Sequence, residues 1–210
     1  MSCVVIAIDG PAGSGKSTVS QLVAESLGYT FLTTGAFYRG MALLSLKYNT
    51  EDSEALLKLF NQSKLVVKAT SKGTDVFIDG VKVTDQLSDE STAKRASSIS
   101  ALPEIRQALL EPQRAFAVAP GLVAEGRDCG TVVFPDADVK IFLTASLDAR
   151  AQRRLGAEAK ESLAQRDKAD STRQAAPLAM AQDAVHIDTS SMSIDSVVKE
   201  ILSVIKLKLS

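Results

Sequence analysis

VVIAIDGPAGSGKSTVS, residues 4–20, runs from an unbroken apolar segment through a glycine-rich loop into a helical pattern. Val4 to Ile8 is rich in β-branched residues and has no polar interruption, which predicts a strand covered on both faces in a parallel sheet. From Lys16 to Leu27, the residues Val19, Leu22, Val23 and Leu27 recur at helical spacing, and Gly28 supplies a C-terminal stop. Between strand and helix, Gly10, Gly15, Lys16 and Ser17 satisfy G-x-x-x-x-G-K-[ST], the phosphate-binding P-loop pattern. The loop Gly10, Pro11, Ala12, Gly13, Ser14, Gly15 is expected to wrap so that main-chain N–H groups point at phosphate oxygens, helped by the positive end of the helix. Lys16 is then expected to neutralise the β and γ oxygens of a triphosphate. Ser17 would offer its hydroxyl to Mg²⁺, and Thr18 would reach the α-phosphate.

Further strands are expected at Tyr29 to Leu32, Gly121 to Ala124, Val139 to Thr144 and Ala184 to Ile187. Helices are expected over Ala36 to Lys47, Ile105 to Ala117, Leu147 to Leu155 and Ile194 to Leu207, the last capped by Ser193. Strands alternating with helices predict an α/β fold, a three-layer core around a five-stranded parallel sheet. The segment LVVKATSKGTDVFIDGVKVTDQL, residues 65–87, breaks the alternation and reads as a hairpin insert, with Asp79-Gly80 a type I′ turn signal. RRLGAEAKESLAQRDKADSTR, residues 153–173, is charged and free of aromatics, and reads as a projecting helical hairpin. Within one domain this gives a discontinuous core (1–60, 96–150, 174–210), an insert around 61–95 and a short helical lid around 151–173.

The chain has 210 residues, 24 basic and 25 acidic side chains and a net charge of −1, so nothing in the balance points to nucleic acid or a membrane surface. Cys3 and Cys129 are the only cysteines and His186 the only histidine, which leaves no disulfide framework and no Cys/His metal cage. A reducing, cytoplasmic setting and a monomeric state are the simple expectations. The apolar run at the N-terminus is too short for a signal peptide or a spanning helix.

A triphosphate site alone does not separate kinase, switch and motor. Guanine-class signals are missing: Asn49 and Asn61 precede Thr and Gln, which rules out N-K-x-D, and no D-x-x-G occurs. A small-molecule kinase requires arginines that converge on an anionic acceptor after folding. Arg39, Arg106, Arg127, Arg153, Arg154, Arg166 and Arg173 are spread over several elements, and Arg127-Asp128 lies just beyond the carboxyl end of a strand, where open α/β sheets bind ligands. Transfer to a phosphate needs no general base, so His186, within the apolar AVHID, is read as structural.

IDGPAGSGKST (8–18), TTGAFYR (33–39), ASSISALPEIRQALLEPQRAF (96–116), PGLVAEGRDCGTVVFPDADVKIFLTAS (120–146), RAQRR (150–154) and RDKADSTRQAAPL (166–178) together resemble the bacterial cytidylate kinases over nearly the whole chain. The resemblance implies a P-loop NTPase-type core, with the insert enlarging the monophosphate-binding region, and transfer of the γ-phosphate of ATP to CMP or dCMP with Mg²⁺. It assigns the acceptor base to Ser97, Arg106 and Asp128, and the acceptor phosphate to Arg39, Arg127 and Arg173, with Thr34 and Tyr38 on the same side. Arg166 and Asp170 of the lid would serve the reacting phosphates and the acceptor ribose, Arg153 or Arg154 would stack on adenine, and residues 188–191 would close around it. The chain departs from the family at Thr33, where an acidic residue is usual, at Glu125, where aspartate is common, and in its shorter lid. A kinase for UMP or for a hydroxyl acceptor, and a non-catalytic nucleotide-binding relative, are the alternatives.

Overall fold

The computed structural model describes residues 3–62, 64–153 and 157–210. Arg154 and the end of the helix expected through Leu155 lie outside them. Five strands, β1 (Val4–Asp9), β2 (Thr30–Thr33), β6 (Gly121–Gly126), β7 (Val139–Thr144) and β8 (Val185–Asp188), form a parallel sheet in the order β2-β6-β1-β7-β8. The central β1 is buried from both sides, with Ile6, Ala7 and Ile8 fully covered, which explains its continuous apolar sequence. On one face lie α2 (Gly35–Lys47) and α5 (Pro103–Arg114), packing Met41, Leu44, Ile105 and Leu109. On the other lie α1 (Lys16–Leu27) and α8 (Ile194–Lys208), packing Val19, Val23, Val197 and Ile201. Full burial of each such side chain is worth about 1.5–3 kcal/mol, enough in aggregate to fix the three layers.

Local signals set the ends of these elements. The N–H of Gly28 returns to the carbonyls of Ala24 and Glu25 and closes α1. Ser193 accepts from the N–H of Ser196 and opens α8. Pro103 takes the first position of α5, so that helix starts two residues before the expected Ile105 and ends at Arg114.

The insert is a second, antiparallel sheet of β3 (Leu65–Thr70), β4 (Gly73–Ile78) and β5 (Val81–Lys82). Asp79 and Gly80 both take positive φ, 51° and 79°, as the expected type I′ turn demands. Val76 and Ile78 of β4 share an apolar cluster with Met41 and Leu44, so the insert rests on α2. Two helices were not expected: α3 (Ser53–Asn61), capped by Asp52 accepting from the N–H of Ala55 at 2.7 Å, and α4 (Glu90–Ile99). The segment expected as a lid, around 151–173, takes in the end of α6 (Leu147–Arg153) and the 16-residue α7 (Ala157–Thr172). Among the described residues no helix is long and apolar enough to cross a membrane.

Strand register brings the site together. Asp9 pairs across to Gly126, Thr33 and Ile8 each to Glu125, and Thr144 to Asp188, so the carboxyl ends of all five strands share one edge.

Candidate active site

That edge opens into a cleft of about 1260 Å³. On one wall of it the P-loop leaves β1 beneath the carbonyl of Leu143; a Cβ on residue 10 would stand 2.1 Å from that oxygen, so only glycine passes. Lys16 is 6% exposed. Its Nζ donates to the carbonyl of Pro11 at 3.1 Å and lies 3.9 Å from Glu125 Oε2. Ser17 Oγ donates to Glu125 Oε1 at 3.1 Å. One buried carboxylate thus faces both the cation and the hydroxyl of the P-loop.

Burial, and next the Arg127 guanidinium, lower the Lys16 ammonium from 10.5 to about 8. The unfolded lysine keeps its proton up to 10.5, so between about pH 8 and 10.5 the unfolded state binds more protons and stability should rise with pH. Urea unfolding across that window checks the sign. A triphosphate beside Lys16 restores the ammonium, so ATP binding at about pH 9 should take up close to one proton. Calorimetry in buffers of different ionisation enthalpy measures it, and zero uptake would remove Lys16 from the phosphate site.

Away from the P-loop, Arg106 in the first turn of α5 forms an ion pair with Asp128, and both are buried. Arg106 Nη1 also donates to the carbonyl of Ser100 at 3.1 Å, and the guanidinium sits 5.2 Å above the Tyr38 ring. Chiefly through burial, the Tyr38 hydroxyl is pushed up to about 12. Arg127 Nε donates to Asp170 Oδ2 at 2.6 Å, which ties the end of β6 to the lid helix. Arg173 Nη1 lies 3.8 Å from Asp170 Oδ1 and donates to Ser100 Oγ at 3.3 Å, while its buried Nε has no hydrogen-bond partner among the described residues. Arg39 donates to the carbonyl of Leu87 and joins α2 to the insert.

The sequence-predicted residues Ala12, Gly13, Ser14, Gly15, Lys16, Ser17, Thr18, Thr34, Tyr38, Arg39, Ser97, Arg106, Arg127, Asp128, Arg153, Arg166, Asp170 and Arg173 all line this one cleft. Gly10 and Pro11 form the root of the loop rather than the cleft wall. Residues 6–207 match the cytidylate kinase family. The chain belongs to the cytidylate kinase family. It is 44% identical over 215 residues to the cytidylate kinase of Bdellovibrio bacteriovorus, covering 98% of this chain and 99% of that one. It is 43% identical to that of Aliivibrio salmonicida, with 98% and 97% covered. Among solved structures, a gluconokinase from Sinorhizobium meliloti shares the fold at a TM-score of 0.50 and 16% identity, covering 98% of this chain and 93% of that one.

Within this cytidylate kinase framework, three site residues, Asp9, Arg150 and Thr74, escaped the sequence reading, while Thr189 lies in the loop 188–191 expected around adenine. Asp9 accepts from the N–H groups of Cys129 and Gly130 at 2.9 and 2.7 Å, and burial nevertheless lifts its carboxyl to about 6. Arg150 is buried and donates to the carbonyl of Ala12 at 3.0 Å. The hydroxyl of Thr189 donates to the carbonyl of Ser14 at 3.1 Å, and Arg153 donates to the Thr189 hydroxyl at 3.0 Å and to the Ser14 carbonyl at 3.3 Å. Thr74 Oγ1 accepts from the N–H of Thr33 at 2.9 Å and donates to the carbonyl of Phe31 at 2.9 Å, so Thr33 is tied to the insert. The signal available for Arg150 was its i, i+3 spacing from Arg153 on a helix that follows a strand end.

Proposed function

We propose that the chain transfers the γ-phosphoryl group of ATP to CMP or dCMP, releasing ADP and CDP or dCDP. The observation that carries this is one cleft lined both by a P-loop and by the buried Arg106–Asp128 pair, together with Arg127, Arg166, Asp170 and Arg173. The acceptor's phosphate has its second ionisation near pH 6, so its oxygen is already anionic and catalysis reduces to alignment and charge neutralisation. Lys16 neutralises the transferring and leaving oxygens, and Arg127 and Arg166 act on the reacting phosphates. Arg39, Arg127 and Arg173 hold the acceptor phosphate, and Asp170 serves the ribose. His186 is bonded to Thr144 at 2.8 Å at the edge strand and takes no part.

Asp128 accepts from the exocyclic amine of cytosine, while Arg106 and Ser97 donate to the ring carbonyl and nitrogen. Uracil would set a carbonyl against the carboxylate, which costs more than a lost contact. Ser17 and Glu125 offer hard oxygen donors of the kind Mg²⁺ accepts, and with the phosphates they would hold the ion. When bound, it would neutralise developing charge on the β and γ oxygens.

The core (1–60, 96–150, 174–210) carries the P-loop, the insert around 61–95 encloses the acceptor, and the lid around 151–173 excludes water. The enzyme is proposed to act as a monomer. The free thiols of Cys3 and Cys129 are compatible with a reducing cytoplasm.

ADP release measured with CMP, dCMP, UMP and AMP tests the activity. CMP and dCMP should lead by at least about 10²-fold over UMP. UMP faster than CMP would overturn the base assignment, and ATP binding with no acceptor-dependent turnover would favour a non-catalytic relative.

A further inference from the structure

Leu163 is the one large apolar side chain in α7, and it is 1% exposed, packed with Ala12 of the P-loop and Ala151 of α6. One turn on, Asp167 Oδ2 lies 2.7 Å from Arg150 Nη1. The same Nη1 donates to the carbonyl of Ala12, and Arg150 Nε donates to the carbonyl of Ala145 at 3.0 Å, just past β7. Gly13 lies against this side chain too: a Cβ there would stand 3.2 Å from Arg150 Cβ. One buried guanidinium therefore joins the outer side of the P-loop, the end of a core strand and the lid helix.

Leu163 and Asp167, four residues apart, share a face of α7. Ser162, Arg166 and Asp170 form the adjacent stripe, offset by about 100°, and all three line the cleft. Whatever holds the first face down aims the second. An apolar contact at one point leaves a helix free to roll about its axis; the Asp167–Arg150 pair one turn away restrains that roll, alongside the Arg127–Asp170 pair on the adjacent stripe. At a side-chain radius of about 5–6 Å, a roll of roughly 20° moves a tip by about 2 Å. A misplacement of about 1 Å already costs on the order of 10²-fold in rate.

We propose that Arg150, Asp167 and Leu163 form a latch that fixes the roll of α7, so that Arg166 is presented to the reacting phosphates and Asp170 to the acceptor ribose. Arg150 is a positioning residue: it holds the P-loop carbonyl with one nitrogen while anchoring the lid through the carboxylate, which sets lid and cradle in one register. The latch itself rests on the contacts above; its effect on rate rests on the kinase activity proposed for this site.

The test combines CMP-dependent kinetics with hydrogen exchange over residues 157–172. Asp167→Ala is expected to lower kcat by about 10–100-fold, with KM for ATP changing less than about threefold. It should also speed exchange across 157–172 in protein without added nucleotide. In an Arg166→Ala background the loss of kcat from Asp167→Ala should be at least about threefold smaller, because the group it aims is gone. Equal losses in both backgrounds, or unchanged exchange, overturn the latch. If the unaltered chain fails to turn over CMP, the proposed activity falls instead, and the exchange comparison still decides the latch.

Discussion

Lys16→Ala is expected to reduce CMP-dependent ADP release by about 10²–10³-fold, the loss typical of removing one preorganised charge-stabilising group. The fold should survive. At pH 7 the lysine is charged and buried, and the lowering of its ammonium to about 8, by burial and by Arg127 against the pull of Glu125, represents a net cost of roughly 3 kcal/mol, which alanine removes. Against this, alanine takes away the buried stem of Lys16 and its hydrogen bond to the Pro11 carbonyl. The two effects oppose each other, so the melting temperature should move by no more than about 4 °C, the shift that roughly 1 kcal/mol produces in a chain of this size. A rate loss at near-constant stability is the signature of a group acting on the reacting phosphates. Normal turnover in the variant would refute that role.

Asp128 is expected to respond differently, because structure and recognition converge on it. Asp128→Ala leaves the buried Arg106 without its counter-ion, and loss of one partner from such a pair costs about 3–5 kcal/mol. Chemical denaturation should show that loss, and it would confound any kinetic result. Asp128→Asn is the sharper probe. Its amide keeps an oxygen toward Arg106 and gains an N–H₂ that can donate to the uracil carbonyl. The ratio of kcat/KM for CMP over UMP should fall by at least about 10²-fold. An unchanged ratio would remove Asp128 from the base site.

The parts of the fold legible in the sequence are those whose signals are local. β7 runs over the expected Val139 to Thr144, and α1 over Lys16 to Leu27, since apolar runs, helical spacing and a terminal glycine all lie within a few residues of each other. α3 and α4 were not legible. α3 buries one side chain fully, Leu56, and α4 is largely polar, burying only Thr92, Ala96 and Ile99. Neither writes an apolar stripe long enough to stand out, and both are stabilised by what they pack against.

The site divides in the same way. The P-loop is contiguous, so its residues declared themselves, and the acceptor residues entered through the family's motifs. The contacts that aim them join residues far apart: Arg127 to Asp170 across 43 positions, Arg150 to Ala12 across 138, Asp9 to Gly130 across 121. Arg153 and Arg154 were singled out from a run in which Arg150 proves to be a buried one, because burial is a property of the folded neighbourhood and not of the run.

Asp9 has one more consequence. It is the last residue of β1, covalently next to the glycine that starts the donor loop, and it grips the two amides that directly follow Asp128. A displacement of that strand end is therefore expected to carry the P-loop and the segment after Asp128 together. Reacting atoms must be held about 3–3.5 Å apart for transfer. A shared anchor makes the fluctuations of the two segments correlated, so that their separation varies less than the position of either one.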